Sequence, residues 1–247
     1  MKFNLVNTDS IEVNDDLEIK SIQLGTHSIL IIDNVLKNPE YLLSILKNLP
    51  MEKNPDTKPQ KFKSTHWGHM LPSDWKFTPV RNLFNRCAKT YYNINHVKDI
   101  HTEIKLQFNY IPGNIIFNNL NTLPHVDPAF LACSLFITPD EYCRAGTAFF
   151  NQKNAGIDYE VSYCDENFKS TKEHKIIYDD YSKIENQEES LPYDSRFINK
   201  DIWELKYIAE MKYNRLIIHP SYIFHAAYIE EGWFMDHPRI SLAGFVK

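Results

Sequence analysis

The spacing of hydrophobic residues changes near residue 100, from a helical repeat to strict alternation. Upstream, "SILIIDNVL" reads as a strand holding Ile29, Ile31 and Val35. A helix is predicted to follow. Asn38 suits an N-cap, Pro39 suits the first helical position, and Leu42, Ile45, Leu46 and Leu49 recur at i, i+3, i+4 and i+7. Pro50 ends it. Residues 51–75 carry many prolines and polar side chains and are predicted to be a loop. A second helix is predicted from Thr78 and Pro79, with Val80, Leu83, Phe84, Cys87 and Tyr91 on one face.

In "EIKLQFNY", Ile104, Leu106, Phe108 and Tyr110 alternate with Lys105, Gln107 and Asn109, the mark of a half-buried strand. Pro112 and Gly113 supply a turn. Further strands are predicted in "FLACSLFIT", "GTAFFNQ", "NRLIIHP" and "RISLAGFV". Residues 151–200 are polar, tyrosine-rich and charged, and read as a lid-like insertion. Helices followed by many strands imply an α+β chain whose β part is a sandwich or barrel.

At 247 residues and 43% hydrophobic content the chain can bury one sizeable core. The expectation is a single domain over 1–247: a helical N-terminal support in 1–100 and a strand-rich core in 101–247. A net charge of −5 with no basic run argues against a nucleic-acid partner. The first residues lack the apolar segment of a signal peptide and no stretch is long enough to span a membrane, so a cytoplasmic protein is expected. Cys87, Cys133, Cys143 and Cys164 show no CxxC spacing and read as free thiols.

Chemistry concentrates in "LPHVDPAF", residues 123–130, which opens the apolar run "LACSLFI". In a strand, residues at i and i+2 share a face, so His125 and Asp127 could offer an imidazole and a carboxylate to one metal ion. Such a pair is common by chance and gains weight only with a third ligand. His219, His225 and His237 are the candidates downstream. His219 ends an apolar run and also reads as a packed histidine satisfied by backbone, while His237 reads as a loop residue. His225 lies between Phe224 and Ala226, where a buried ring needs a partner. Two histidines and one carboxylate form the facial triad of non-haem Fe(II) oxygenases, and the same set can hold Zn²⁺ for hydrolysis. Arg239 and Ser241 are again i and i+2, on a strand whose other face is Ile240, Leu242 and Gly244. A lone Arg is more often a surface residue. As an inward pair, guanidinium and hydroxyl suit the far carboxylate of a dicarboxylate.

Together, His125-x-Asp127, a distal His225 and Arg239-x-Ser241 resemble the Fe(II)/2-oxoglutarate-dependent dioxygenases, with the prolyl-hydroxylase-like members nearest in pattern. "NYIPGN", "RAGTAFF" and "NRLIIHPSYIFH" add local similarity, and the resemblance covers roughly residues 100–247. It implies a double-stranded β-helix, a cupin-like jelly roll, with N-terminal helices packed on it. It implies Fe(II) held by His125, Asp127 and His225, 2-oxoglutarate held by Arg239 with Ser241 and Tyr110 assisting, and O₂ as co-substrate. "IIHP" places His219 where many members have an aromatic residue, so His219 remains an alternative third ligand. Because Asp127 is present, the resemblance implies hydroxylation of a C–H bond, not chlorination, with succinate and CO₂ as co-products. The substrate would be a small molecule, an amino acid or a peptide. The acidic residues Asp158, Glu160, Asp165 and Glu166 of the insertion suit a cationic one. Two other classes use the same residues: a Zn²⁺-dependent hydrolase, for which no H-E-x-x-H motif is found, and a cupin-like binding module without turnover.

Overall fold

The structure, a computed structural model, describes residues 10–47, 66–69, 77–94, 102–109, 124–127, 129–144, 146–153, 156, 200–230, 233–234 and 236–247. Its strands are β1 (Ile19–Leu24), β2 (His27–Ile32), β3 (His66–His69), β4 (Thr102–Asn109), β5 (Leu131–Phe136), β6 (Gly146–Gln152), β7 (Trp203–Glu210), β8 (Arg215–Pro220), β9 (His225–Tyr228) and β10 (Arg239–Val246). Its helices are α1 (Pro39–Lys47) and α2 (Thr78–Tyr91). The strands form two antiparallel sheets, one of seven strands in the order β1-β2-β8-β5-β10-β4-β3 and one of three in the order β7-β6-β9.

Alternation along the central strands gives the large sheet two different faces. Leu30 and Ile32 of β2, Cys133 and Leu135 of β5, Leu216 and Ile218 of β8, and Ile240 and Leu242 of β10 turn to the helices. There they meet Leu42 and Leu43 of α1 and Val80, Leu83, Phe84 and Cys87 of α2. A Cβ at Gly244 would run into the Phe84 ring, so the missing side chain lets α2 lie close on β10. The opposite face turns to the small sheet, where Ile31, Phe136 and Ile217 pack against Phe149 of β6 and Ala209 of β7.

Helix signals in the sequence act as expected at the start of α1, where Asn38 Oδ1 accepts the Tyr41 N–H at 3.1 Å. Tyr91, expected on the buried face of α2, is instead 46% exposed. Asn93 turns the chain back at φ 52°, and the buried Ile94, its N–H donating to Ala88 O, fills the core at that helix end. The expected helical support over 1–100 also needs correction. β1 and β2 form a hairpin that extends the large sheet through β8, and His66–His69, expected in a loop, pairs with β4 as its far edge. β7 lacked a clear sequence signal because its exposed Glu204, Leu205 and Lys206 break the alternation. Tyr110, the Pro112–Gly113 turn, Cys164 and nearly all of the 151–200 insertion, including its acidic residues, lie outside the described residues. Cys87, Cys133 and Cys143 are free thiols, as expected. Among the described residues, no helix is long and apolar enough to cross a membrane.

Candidate metal centre

The segment after Pro124 is too short to be a strand, yet it is stitched tightly to residues 219–225. His125 and His225 exchange backbone hydrogen bonds, N–H to carbonyl, at 2.9 and 3.0 Å. The Asp127 N–H donates to Ser221 O at 2.9 Å, and the Ser221 N–H donates to Phe130 O at 3.1 Å. The Ser221 hydroxyl, fully buried, donates to Ala129 O. His125 and Asp127 therefore owe their shared direction to the 221–225 strap more than to a strand of their own. His225 opens β9 opposite Phe149 of β6.

This arrangement brings one ligand atom from each of His125, Asp127 and His225 within 4.8 Å of the others. His225 Nε2 lies 3.1 Å from Asp127 Oδ2, and His125 Nε2 lies 3.7 Å from Oδ1. The two imidazoles sit 4.7 Å apart. His225 Nδ1–H donates to Ile223 O at 2.9 Å. That bond orients the ring and leaves Nε2 on the side of the carboxylate, which is how metal-binding histidines are usually held from behind. Burial opposes ionisation of Asp127, but the hydrogen bond from His225, followed by the charges of His225, His125 and His219, outweighs it. The carboxyl is held well below the usual range. The group can hold a metal ion through two imidazole nitrogens and a carboxylate oxygen, a set suited to a divalent transition metal.

Of the sequence alternatives for a third ligand, His225 is the one that joins His125 and Asp127. His219 lies beside the group: its ring is 4.4 Å from that of His225, and Nδ1–H donates to Pro220 O at 2.9 Å. Burial first, then the neighbouring His225, pushes its pKa down to about 3, so it is neutral near pH 7. His237 stacks on Tyr142 at 4.2 Å, away from the group, and donates Nδ1–H to Pro238 O.

Arg239 and Ser241 are buried, 5% and 1% exposed, which reverses the ordinary expectation of a surface Arg. The Arg239 guanidinium lies 5.1 Å over the Phe136 ring, in the space between the sheets that Phe136 shares with Phe149. The Ser241 hydroxyl has no hydrogen-bond partner among the described residues. Tyr110, expected to assist Arg239, lies outside the described residues. Along β4 the register sets Asn109 opposite Arg239 and Gln107 opposite Ser241. Ser221 was missed because its bonds to Ala129 and Phe130 run across the fold, and the Ile223 carbonyl because its bond to His225 carries no sequence motif.

No curated protein matches the chain. Residues 78–240, about two thirds of its 247, match a family model, and that span contains α2, strands β4, β5 and β8 of the large sheet, the whole small sheet and all three residues of the candidate metal centre, so the chain belongs to the family described as "Family of unknown function (DUF6445)".

Proposed function

We propose that this chain is an Fe(II)- and 2-oxoglutarate-dependent dioxygenase that hydroxylates an unactivated C–H bond of a small molecule, an amino acid or a peptide. The observation that carries the reading is that one interior holds both halves of the required site. His125, Asp127 and His225 converge beside Phe149, and a buried arginine–serine pair, its hydroxyl without a partner among the described residues, lies beside Phe136 of the same apolar cluster. A buried hydroxyl without a partner is costly, and a carboxylate docking there would satisfy it while pairing the guanidinium.

The strand order supports reading the two sheets as a jelly roll. β4, β5, β8 and β10 lie side by side in the large sheet, while β6, β7 and β9 form the small one, with His125 bridging to β9 as a fourth edge. The chain thus passes back and forth between sheets as a double-stranded β-helix requires.

Bound iron and 2-oxoglutarate would supply oxidative decarboxylation to succinate and CO₂ coupled to C–H oxidation. The protein's own contribution is positional. His125, Asp127 and His225 would hold three positions on one side of the ion, leaving the others open. The Ile223 carbonyl keeps the His225 tautomer that presents Nε2. Arg239, with Ser241, would fix the distal carboxylate bidentately and so orient the dicarboxylate. The apolar wall of Phe136, Phe149 and Ile217 would keep water from the reacting end.

The test is anaerobic. Addition of Fe(II) and then 2-oxoglutarate to purified protein is expected to give the weak visible charge-transfer band of the chelate. The band should be lost in His225→Ala and weakened in Arg239→Ala, and succinate release should follow with a suitable substrate. Absence of the band in wild type, with Zn²⁺ tightly retained instead, would sink the reading in favour of a hydrolase or a binding module.

A further inference from the structure

His219 packs against the candidate metal centre without belonging to it. It lies near the end of β8 and is 3% exposed. Its ring meets that of His225 at 4.4 Å and 60°, and that of Phe149 at 5.0 Å and 82°. Phe149 is in turn the cross-strand partner of His225. His225 is thus held by three groups: Phe149, His219 and the Ile223 carbonyl on Nδ1. An apolar ring at position 219 would pack among Phe149 and Ala132 without the desolvation penalty of an imidazole. His219 offsets part of that penalty through Nδ1–H, which donates to Pro220 O at 2.9 Å. That bond is the one the ring makes among the described residues, and Nε2 is left for a ligand. The ring lies 4.4 Å from that of His225, one of the three residues that converge on the candidate ion position.

We infer that His219 is a positioning residue of the metal centre: its ring sets the plane of His225, and Nε2 accepts a hydrogen bond from a water on the bound ion. The inference rests on the metal-binding part of the function proposed above. It explains why a nitrogen-bearing ring stands where packing alone favours a hydrocarbon. It also separates His219 from the three ligands, since removing it should disturb the ion's surroundings without removing the ion.

Anaerobic titration of Co(II) into the purified full chain, followed by its visible spectrum, reads both parts. His219→Phe keeps a ring and removes the acceptor, while His219→Gln keeps an acceptor and removes the ring. Both are expected to bind Co(II) about tenfold more weakly than wild type, the usual cost of losing a support behind a ligand. His225→Ala is expected to lose the ion. In His219→Phe the pH at which the Co(II) spectrum changes should fall, because the acceptor no longer stabilises the protonated water, and His219→Gln should bring it back toward wild type. A ring that only packs would not give that reversal. If His219→Phe matches wild type in affinity and pH response, the inference is overturned and the metal reading stands. If it loses Co(II) as fully as His225→Ala, His219 is a ligand and the positioning role is overturned. Should the Phe variant not fold, unchanged Co(II) affinity in His219→Gln overturns the inference by itself. Folded wild-type protein that takes up no Co(II) overturns the metal reading and this inference with it.

Discussion

On β10, Ile240, Leu242 and Gly244 turn to the helices, while Arg239, Ser241 and Ala243 turn to the small sheet. The same division runs through β5 and β8. Cys133, Leu135, Leu216 and Ile218 lie on the helix side, and Ser134, Phe136, Ile217 and His219 lie on the other. One face is closed by hydrocarbon to the point that a glycine is needed under Phe84. The other mixes rings and aliphatics with a guanidinium, hydroxyls and imidazoles, one hydroxyl without a partner among the described residues. Because neighbouring residues of one strand serve both, the difference is not one of backbone. The helix side is packed hydrocarbon, whereas the sandwich side buries polar groups among its rings, a local break with packing rules of the kind that functional sites commonly show.

The largest effect that should separate the faces is truncation of the helix side. Phe84→Ala is expected to lower stability in urea unfolding by about 3–5 kcal/mol, with the affinity for Co(II) little changed. A larger loss of affinity than of stability would mean that the faces are not independent. On the sandwich side, the corresponding gain should come from a ligand. Co(II) at a hundredfold excess over its Kd should raise stability by about 2.7 kcal/mol, and Asp127→Asn should abolish that increment.

Gly244→Ala probes the helix side by overpacking and should cost about 1–3 kcal/mol by the same urea measurement. Proton linkage sharpens the contrast further. The folded His219 takes up its proton only at about 3, chiefly because it is buried and then because His225 is close. An unfolded histidine takes one up near pH 6.5. Stability from this group is therefore full above that value and declines as pH falls toward 3. At pH 5.5 the loss relative to pH 7 should be about 1 kcal/mol. His219→Phe should flatten that part of the metal-free profile, and an unchanged slope would place the titration elsewhere. The smallest effect belongs to Ser241→Ala. Deleting a buried hydroxyl that has no partner among the described residues should leave stability within about 0.5 kcal/mol of wild type or raise it. The 2-oxoglutarate band should weaken all the same.

Much of this architecture was legible in the chain. The Asn38–Pro39 start of α1, the apolar stripe Val80, Leu83, Phe84 and Cys87, and β6 and β10 at their full lengths follow from local capping and periodicity. The division of β10 into a greasy and a polar face was legible for the same reason. Less visible were β3, whose "HWGH" has no apolar alternation, and β7, an edge strand with exposed side chains. Strands of that kind are defined by the partner they pair with, not by their own pattern. At the site, His125, Asp127 and His225 could be nominated from residue type and spacing. His225 was the preferred third ligand from the sequence, with His219 as its alternative, and the geometry groups His225 with His125 and Asp127.

The sequence by itself determined which residue types were available, which faces of the regular elements they share, and that a His-x-Asp pair stands before a buried strand. Those facts depend on neighbours a few positions apart. Tertiary structure alone decided that His225 closes the group with His125 and Asp127, and that Asn109 and Gln107 stand opposite Arg239 and Ser241. Each of those contacts joins segments far apart in the chain. Such contacts are set by sheet register and by how two sheets pack, and neither leaves a local trace in the residues.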